Sequence, residues 1–443
     1  MTESRLTLSS IVVDSDRVHP ILERSILKDG FPFVVDLEAS QGSYLVDATT
    51  GRRYLDFFNY FATQPLGHNH PLMLEPEFVA HIGRIATTKP SNSDFYTPEL
   101  ATFVNTLRET AQPASLPHAF FVSGGALAVE NTLKAAFDWK FQKRAERGLP
   151  DDDRLSILHF KEAFHGRSGY TMSLTNTDPT KVRWFPKFTW PRVLNPKIEF
   201  PLQDNLESVE AAEAESLRQI HAALEADGDR IAALIIEPIQ GEGGDNHFRP
   251  KFFHALREIC DANELLFIVD EVQTGVGATG KWWAYQNYGF EPDLLAFGKK
   301  MQVCGVLGGR RLDEVDSVFH VSGRINSTWG GNLVDMVRGG RYLQIIEAEN
   351  LMANTTAMGE RFLAGLRELA KKNPGKLTNV RGRGLFAAFT LPSPEERKRL
   401  LGALMEDGML ALKSGSTSIR FRPPLNVASR EIDEALAAIE RCL

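Results

Sequence analysis

The chain has 443 residues, 43% of them apolar and 24% charged, enough for more than one hydrophobic core and ordinary for a globular protein. A net charge of −7 with no long basic run argues against nucleic acid and anionic membranes as partners, and no apolar run reaches the ~18 residues of a membrane span. The opening MTESRLTLSSIVVDSD lacks the basic start and apolar core of a secretory signal, and three distant cysteines, Cys260, Cys304 and Cys442, read as reduced thiols of a cytoplasmic protein.

In chain order, GSYLVDATTGRRYLDFF predicts a hairpin that turns at Thr49, Thr50 and Gly51. Short aliphatic runs then alternate with longer helical patterns. AFFVSGG precedes ALAVENTLKAAFDWKFQKRAE; LSILHF follows; IAALIIEP precedes RPKFFHALREICDANE; LLFIVDEV and DLLAFG come next. Such alternation predicts βαβ units and a largely parallel sheet with helices on both faces. The mildly acidic, alanine-rich stretch 207–226 predicts an amphipathic surface helix. Beyond residue 340 the sequence predicts a long helical run to Lys372, a strand at GLFAAFTL and a closing helix. The expected organisation is an N-terminal segment, 1–85, contributing to a small α+β domain; a large domain, 86–340; and the C-terminal part of the small domain, 341–443.

One stretch invites a false reading. Gly275, Gly277 and Gly280 in VDEVQTGVGATG spell G-x-G-x-x-G. In a dinucleotide loop, however, the first glycine follows the strand at once and the last opens a helix. Here Glu271 to Thr274 intervene, and KWWAYQNYG is a poor helix start. The glycines instead predict a tight turn that brings backbone close to backbone.

The chemistry is expected at the carboxyl edge of the sheet, where open α/β sheets bind ligands. Asp270 ends LLFIVD. Lys299 and Lys300 follow DLLAFG. Glu237 and Glu242 follow IAALII, and Phe164, His165 and Arg167 follow LSILHF. One cofactor needs this combination. Pyridoxal phosphate requires a lysine amine for its aldehyde, an anion to keep its ring nitrogen protonated, and backbone N–H donors at a helix start for its phosphate. Gly124 and Gly125 end a strand and Ala126 begins a long helix, which supplies the last requirement.

In order and wording, SGGALAVENTLKAAF, AFHGRSG, IIEPIQGEGGD, FIVDEVQTGVGATG, AFGKK, INSTWGGN and IRFRPPL resemble the class III (ω-amino acid) pyridoxal-phosphate aminotransferases of fold type I. The likeness runs from HPILERSILKDG to the C-terminal helix. It implies a large domain with a mainly parallel seven-stranded sheet, a small domain built from both chain ends, and a homodimer with shared active sites. Within the family the chain is most similar to the branch that moves the ε-amine of L-lysine to 2-oxoglutarate. Enzymes using 4-aminobutyrate or other ω-amines are the alternative.

The resemblance also implies roles. Lys299, 29 residues after Asp270, matches the lysine that binds the cofactor aldehyde, with Lys300 the alternative of the doubled pair. Asp270 matches the partner of the ring nitrogen, and Gln273 the residue reaching the ring hydroxyl. Phe164 and Val272 match the residues on the two ring faces, and Gly125 and Ala126 the phosphate loop, here without the serine often found there. Thr328 matches a phosphate ligand donated by the partner subunit. Arg167 matches the arginine that grips a remote carboxylate. Arg420 matches the site for the α-carboxylate of the keto acid, and Glu242 the acid that covers it. Asn326 and the stretch 59–63 are expected to bear on donor choice.

Overall fold

The structure, a computed structural model, describes residues 12–150 and 154–443; the first eleven residues of the expected N-terminal segment lie outside that range. The strands in chain order are β1 (Tyr44–Val46), β2 (Arg53–Asp56), β3 (His118–Val122), β4 (Ser156–Phe160), β5 (Arg192–Val193), β6 (Ile231–Ile236), β7 (Leu266–Asp270), β8 (Leu294–Phe297), β9 (Cys304–Gly308), β10 (Thr378–Arg383), β11 (Phe386–Thr390), β12 (Met409–Leu410), β13 (Leu412–Ser414) and β14 (Ser418–Phe421). A seven-stranded sheet runs in the order β3-β9-β8-β7-β6-β4-β5. All its strands point the same way except β9, which is antiparallel to both neighbours.

The reason is visible in the residues. Strands β6 and β7 are aliphatic throughout and buried along their whole length, as a sheet covered on both faces demands. On one face pack Phe252, Phe253 and Leu256 of the helix Pro250–Ala262. On the other pack Val129, Leu133 and Ala136 of the helix Gly125–Glu146. The stretch expected to form a surface helix does so as Leu202–Asp227, burying Val209 and Ile220.

The N-terminal hairpin forms as β1 and β2, with Gly51 at φ +71° in its turn. Strand β12 joins β2 in parallel, so segments from both ends of the chain share one small sheet. A second small sheet has the order β10-β11-β14-β13 and carries Arg420 on β14. Leu55 and Phe57 share a core with Phe362, Phe389 and Phe421. Two details differ from the sequence reading. The long run to Lys372 is two helices, Leu333–Ala348 and Leu351–Lys372, broken at Asn350, which takes φ +50°. Asparagine tolerates that left-handed conformation better than most residues. The first of these helices also runs straight through residue 340 and buries Leu343, Ile345 and Ile346 in the central core. Packing therefore passes from the large core to the small one within Leu351–Lys372, whose Leu351 belongs to the first and Phe362 to the second. Among the described residues no helix is long and apolar enough to cross a membrane.

Candidate active site

Because β3, β4, β6, β7 and β8 share a direction, their carboxyl ends open on one edge of the sheet. Asp270 is the last residue of β7 and pairs in register with Ala296 of β8, three residues before Lys299. Asp270 is 5% exposed, and its two oxygens are separately engaged. Oδ2 lies 2.8 Å from His165 Nδ1, and Oδ1 accepts the Val272 N–H at 3.0 Å. The other ring nitrogen of His165 is buried without a partner.

Lys299 follows Gly298 with φ +48°, a left-handed conformation that a non-glycine residue adopts at a cost. Its Nζ donates to the Phe61 carbonyl at 3.2 Å and lies 5.7 Å from the Phe61 ring. Enclosure in the cleft, reinforced by the Arg420 charge, lowers the amine to about 8. Lys300 points elsewhere. It is 3% exposed, its Nζ donates to the Gln273 carbonyl at 2.6 Å, and burial followed by the Lys299 charge lowers it to about 7. Depressed amines occur on both residues, so the shift does not choose between them. The choice rests on surroundings: the Asp270, Glu242 and Arg420 charges act on Lys299, whereas Glu271 acts on Lys300.

Phe61 belongs to an unusual segment. Asn59, Tyr60, Phe61 and Ala62 all have positive φ, forming one left-handed turn. Each such residue costs roughly 1–2 kcal/mol. The turn is held from outside, because Asp56 accepts the Asn59 N–H at 2.7 Å and Gln302 donates to the Thr63 carbonyl at 2.7 Å. It thereby delivers an acceptor and an aromatic ring to Lys299.

Behind the cleft, Arg420 is 2% exposed. Its Nη2 meets Glu242 Oε2 at 2.5 Å, its Nη1 donates to Gln273 Oε1 at 3.1 Å, and its Nε is buried without a partner. The second oxygen of Glu242 accepts from Lys181 Nζ, which also stands 5.2 Å from the Phe164 ring. Burial alone would raise the Glu242 carboxyl, but Arg420 and Lys181 outweigh it and hold it below its usual value. Arg422 is a fixed clamp: its Nη2 meets Asp245 at 2.6 Å and its guanidinium lies 3.2 Å from the Phe386 ring centre. Glu237 accepts the N–H groups of Phe164 (2.9 Å) and Gly241 (3.1 Å); burial and the Asp270 charge push its carboxyl well up. A 340 Å³ cavity lined by Phe31, Phe58, Phe61 and Met405 opens beside Glu242 and Arg420.

Just past the carboxyl end of β3, Gly124 caps the helix Gly125–Glu146 with no side chain, leaving the first-turn N–H groups to face an anion. A Cβ on Gly125 would come 2.9 Å from Val272 Cγ1, so glycine lets this turn sit against the Asp270 loop without displacing Val272. The decoy glycines do form a turn, with Gly277 and Gly280 both at φ +84°, and Gly280 opens no α-helix: only a short 3-10 turn, Ala284–Asn287, follows.

The structure thus brings Gly125, Ala126, Phe164, Asp270, Val272, Gln273, Glu242, Lys299 and Arg420 to one edge. Arg167 is exposed on the loop after His165 and has no ion-pair partner among the described residues. Thr328 and Asn326 do not join the cluster within one chain. They lie exposed on a loop whose Thr328 carbonyl accepts from Ser93 Oγ at 3.1 Å, near exposed Phe95, Tyr96 and Trp329. Sequence reasoning noted His165 and Glu237 without giving them roles and did not single out Lys181, which looks like any surface lysine.

The description "Aminotransferase class-III" matches residues 27–443. The chain belongs to the class III aminotransferases. It is 52% identical to L-lysine-epsilon aminotransferase of Mycobacterium bovis, over 97% of this chain and 95% of that one. It superposes on lysine aminotransferase from M. tuberculosis in the internal aldimine form with a TM-score of 0.95 and 52% identity, covering 97% of this chain and 99% of the other. Similarity to the probable mitochondrial 4-aminobutyrate aminotransferase of Caenorhabditis elegans is lower, at 32% identity over 93% of this chain and 88% of that one.

Proposed function

We propose that this chain transfers the ε-amine of L-lysine to 2-oxoglutarate with pyridoxal 5′-phosphate, giving 2-aminoadipate 6-semialdehyde and glutamate, as a cytoplasmic homodimer. The cleft suits that cofactor. A buried carboxylate held by a histidine, a lysine amine, an uncapped helix start against a glycine and an aromatic ring stand at adjoining strand ends. When bound, the cofactor supplies an aldehyde that condenses with primary amines and a cationic ring that withdraws electrons from the adjacent carbon.

The chain's residues do the rest. Asp270, fixed by His165 and the Val272 N–H, holds negative charge where the ring nitrogen needs it. Gly125 and Ala126 offer N–H donors to the phosphate, with Thr328 reaching it from the partner. Phe164 and Val272 flank the ring. Lys299 Nζ, lowered to about 8, takes the proton from the terminal carbon of bound lysine. Arg167, exposed and without an ion-pair partner among the described residues, binds the donor's carboxylate as a planar fork. The exposed aromatics Phe95, Tyr96 and Trp329 around the Thr328 loop favour a second copy covering this face.

The observation that carries the reading is the covered guanidinium of Arg420. A terminal amine brings no carboxylate beside its nitrogen, so an open Arg420 would be a buried cation without a partner, at a cost of several kcal/mol. Glu242 covers it. When 2-oxoglutarate enters, Glu242 releases Arg420 and keeps Lys181 through its other oxygen, so neither charge is stranded. The greater likeness to lysine enzymes than to 4-aminobutyrate enzymes, and the apolar cavity beside the gate, favour lysine as donor.

A donor screen on the native chain and on Glu242→Ala tests this. The native chain is expected to use L-lysine at least tenfold better than 4-aminobutyrate. Glu242→Ala should lose roughly 30-fold with L-lysine, about 2 kcal/mol, and gain with α-amino donors. Equal native rates would overturn the donor assignment, and an unchanged donor profile in the variant would overturn the gate.

A further inference from the structure

On the opposite edge of the large sheet, three side chains converge that the aminotransferase reading does not use. His118 opens β3 and pairs in register with Gly308 at the end of β9. Asp313 lies in the turn Arg310–Glu314 just beyond, and His320 in the turn that follows. His118 Nε2 lies 2.6 Å and His320 Nε2 2.8 Å from the same oxygen, Asp313 Oδ1. One ligand atom from each residue falls within 4.8 Å of the others. The His118 ring is oriented by stacking on Phe319 (5.2 Å, 20°) and by an edge contact with His320 (5.3 Å, 86°).

We propose that His118, Asp313 and His320 bind a divalent cation of the zinc class. Two imidazole nitrogens and one carboxylate oxygen are borderline donors, suited to Zn²⁺ and unlike the six or more oxygens that Ca²⁺ takes. Metal–ligand bonds of about 2.0–2.2 Å in tetrahedral geometry set neighbouring ligands about 3.3 Å apart. The observed N···O separations of 2.6 and 2.8 Å reach that value if they open by about 0.7 and about 0.5 Å. Such a small movement is within the reach of His320 and Asp313, whose side chains are 43% and 41% exposed. The same exposure lets water complete the coordination. The ion is structural: it lies across the sheet from Lys299 and ties edge strand β3 to the connection that leads on to Asn326 and Thr328.

The test uses the untagged, chelator-treated, cofactor-loaded protein. Calorimetric titration with ZnCl₂ is expected to show one saturable ion per chain that CaCl₂ does not displace, and zinc should raise the unfolding midpoint. His320→Ala, on an exposed turn, should keep native aminotransferase turnover and its metal-free midpoint but bind zinc at least tenfold more weakly, with the midpoint rise lost. Asp313→Asn should weaken binding in the same direction. Absence of saturable zinc binding, or equal affinity in native and His320→Ala proteins, would overturn the proposal.

Discussion

Replacing Lys299 by alanine is expected to abolish the borohydride-reducible near-visible absorbance that arises when the cofactor is bonded to a lysine amine, and to lower turnover by on the order of 10²–10⁴-fold or more, the range for loss of a positioned acid–base group. The expectation follows from where the two adjacent lysines point. Lys299 shares the cleft with Asp270, Glu242 and Arg420, and its amine rests on the Phe61 carbonyl. Lys300 is buried beneath the cleft on the Gln273 carbonyl. Lys300→Ala should therefore retain the absorbance, though it removes the support under Gln273 and should cost stability. Absorbance that survives in Lys299→Ala and vanishes only in Lys300→Ala would move the assignment by one residue.

The second large effect is expected for Asp270→Asn. The substitution preserves shape but removes the carboxylate charge that β7 ends on, and it leaves His165 facing an amide that can turn either oxygen or nitrogen toward it. Breaking a buried charged pair costs about 3–5 kcal/mol, so activity should fall by roughly 10²–10⁴-fold. Cofactor absorbance should persist, because Lys299 is untouched. Steady-state turnover with saturating L-lysine and 2-oxoglutarate measures this. Near-native turnover would mean that no anion is needed at that position.

Much of this site is legible in the sequence because strand ends are legible. A buried run that stops at a charged residue, as LLFIVD stops at Asp270 and DLLAFG at Lys299, announces which side chains emerge at the carboxyl edge. The helix start after Gly125 is announced in the same way. Features set by long-range packing are not. The stretch 59–63 is marked in the sequence for donor choice, but nothing in it announces its shape: Asp56 and Gln302 hold Asn59–Ala62 in a left-handed turn against Lys299. Lys181 acquires its place on Glu242 only when the turn Pro179–Lys181 folds across Phe164. The helix break at Asn350 depends on a single positive φ within a sequence whose helical periodicity continues on both sides. Thr328 and Asn326 lie on an exposed loop that does not reach the cleft within one chain, and the role proposed for Thr328 needs a second copy, which no single-chain pattern can place.

The most direct measurement of the central claim follows the nitrogen itself. Loaded enzyme would be given L-lysine labelled with ¹⁵N at the ε position, together with 2-oxoglutarate, and the glutamate formed would be analysed by mass spectrometry. The account predicts ¹⁵N in the glutamate from ε-labelled lysine and none from α-labelled lysine. Label arriving from the α position, or no transfer from lysine while 4-aminobutyrate supplies its nitrogen freely, would contradict it.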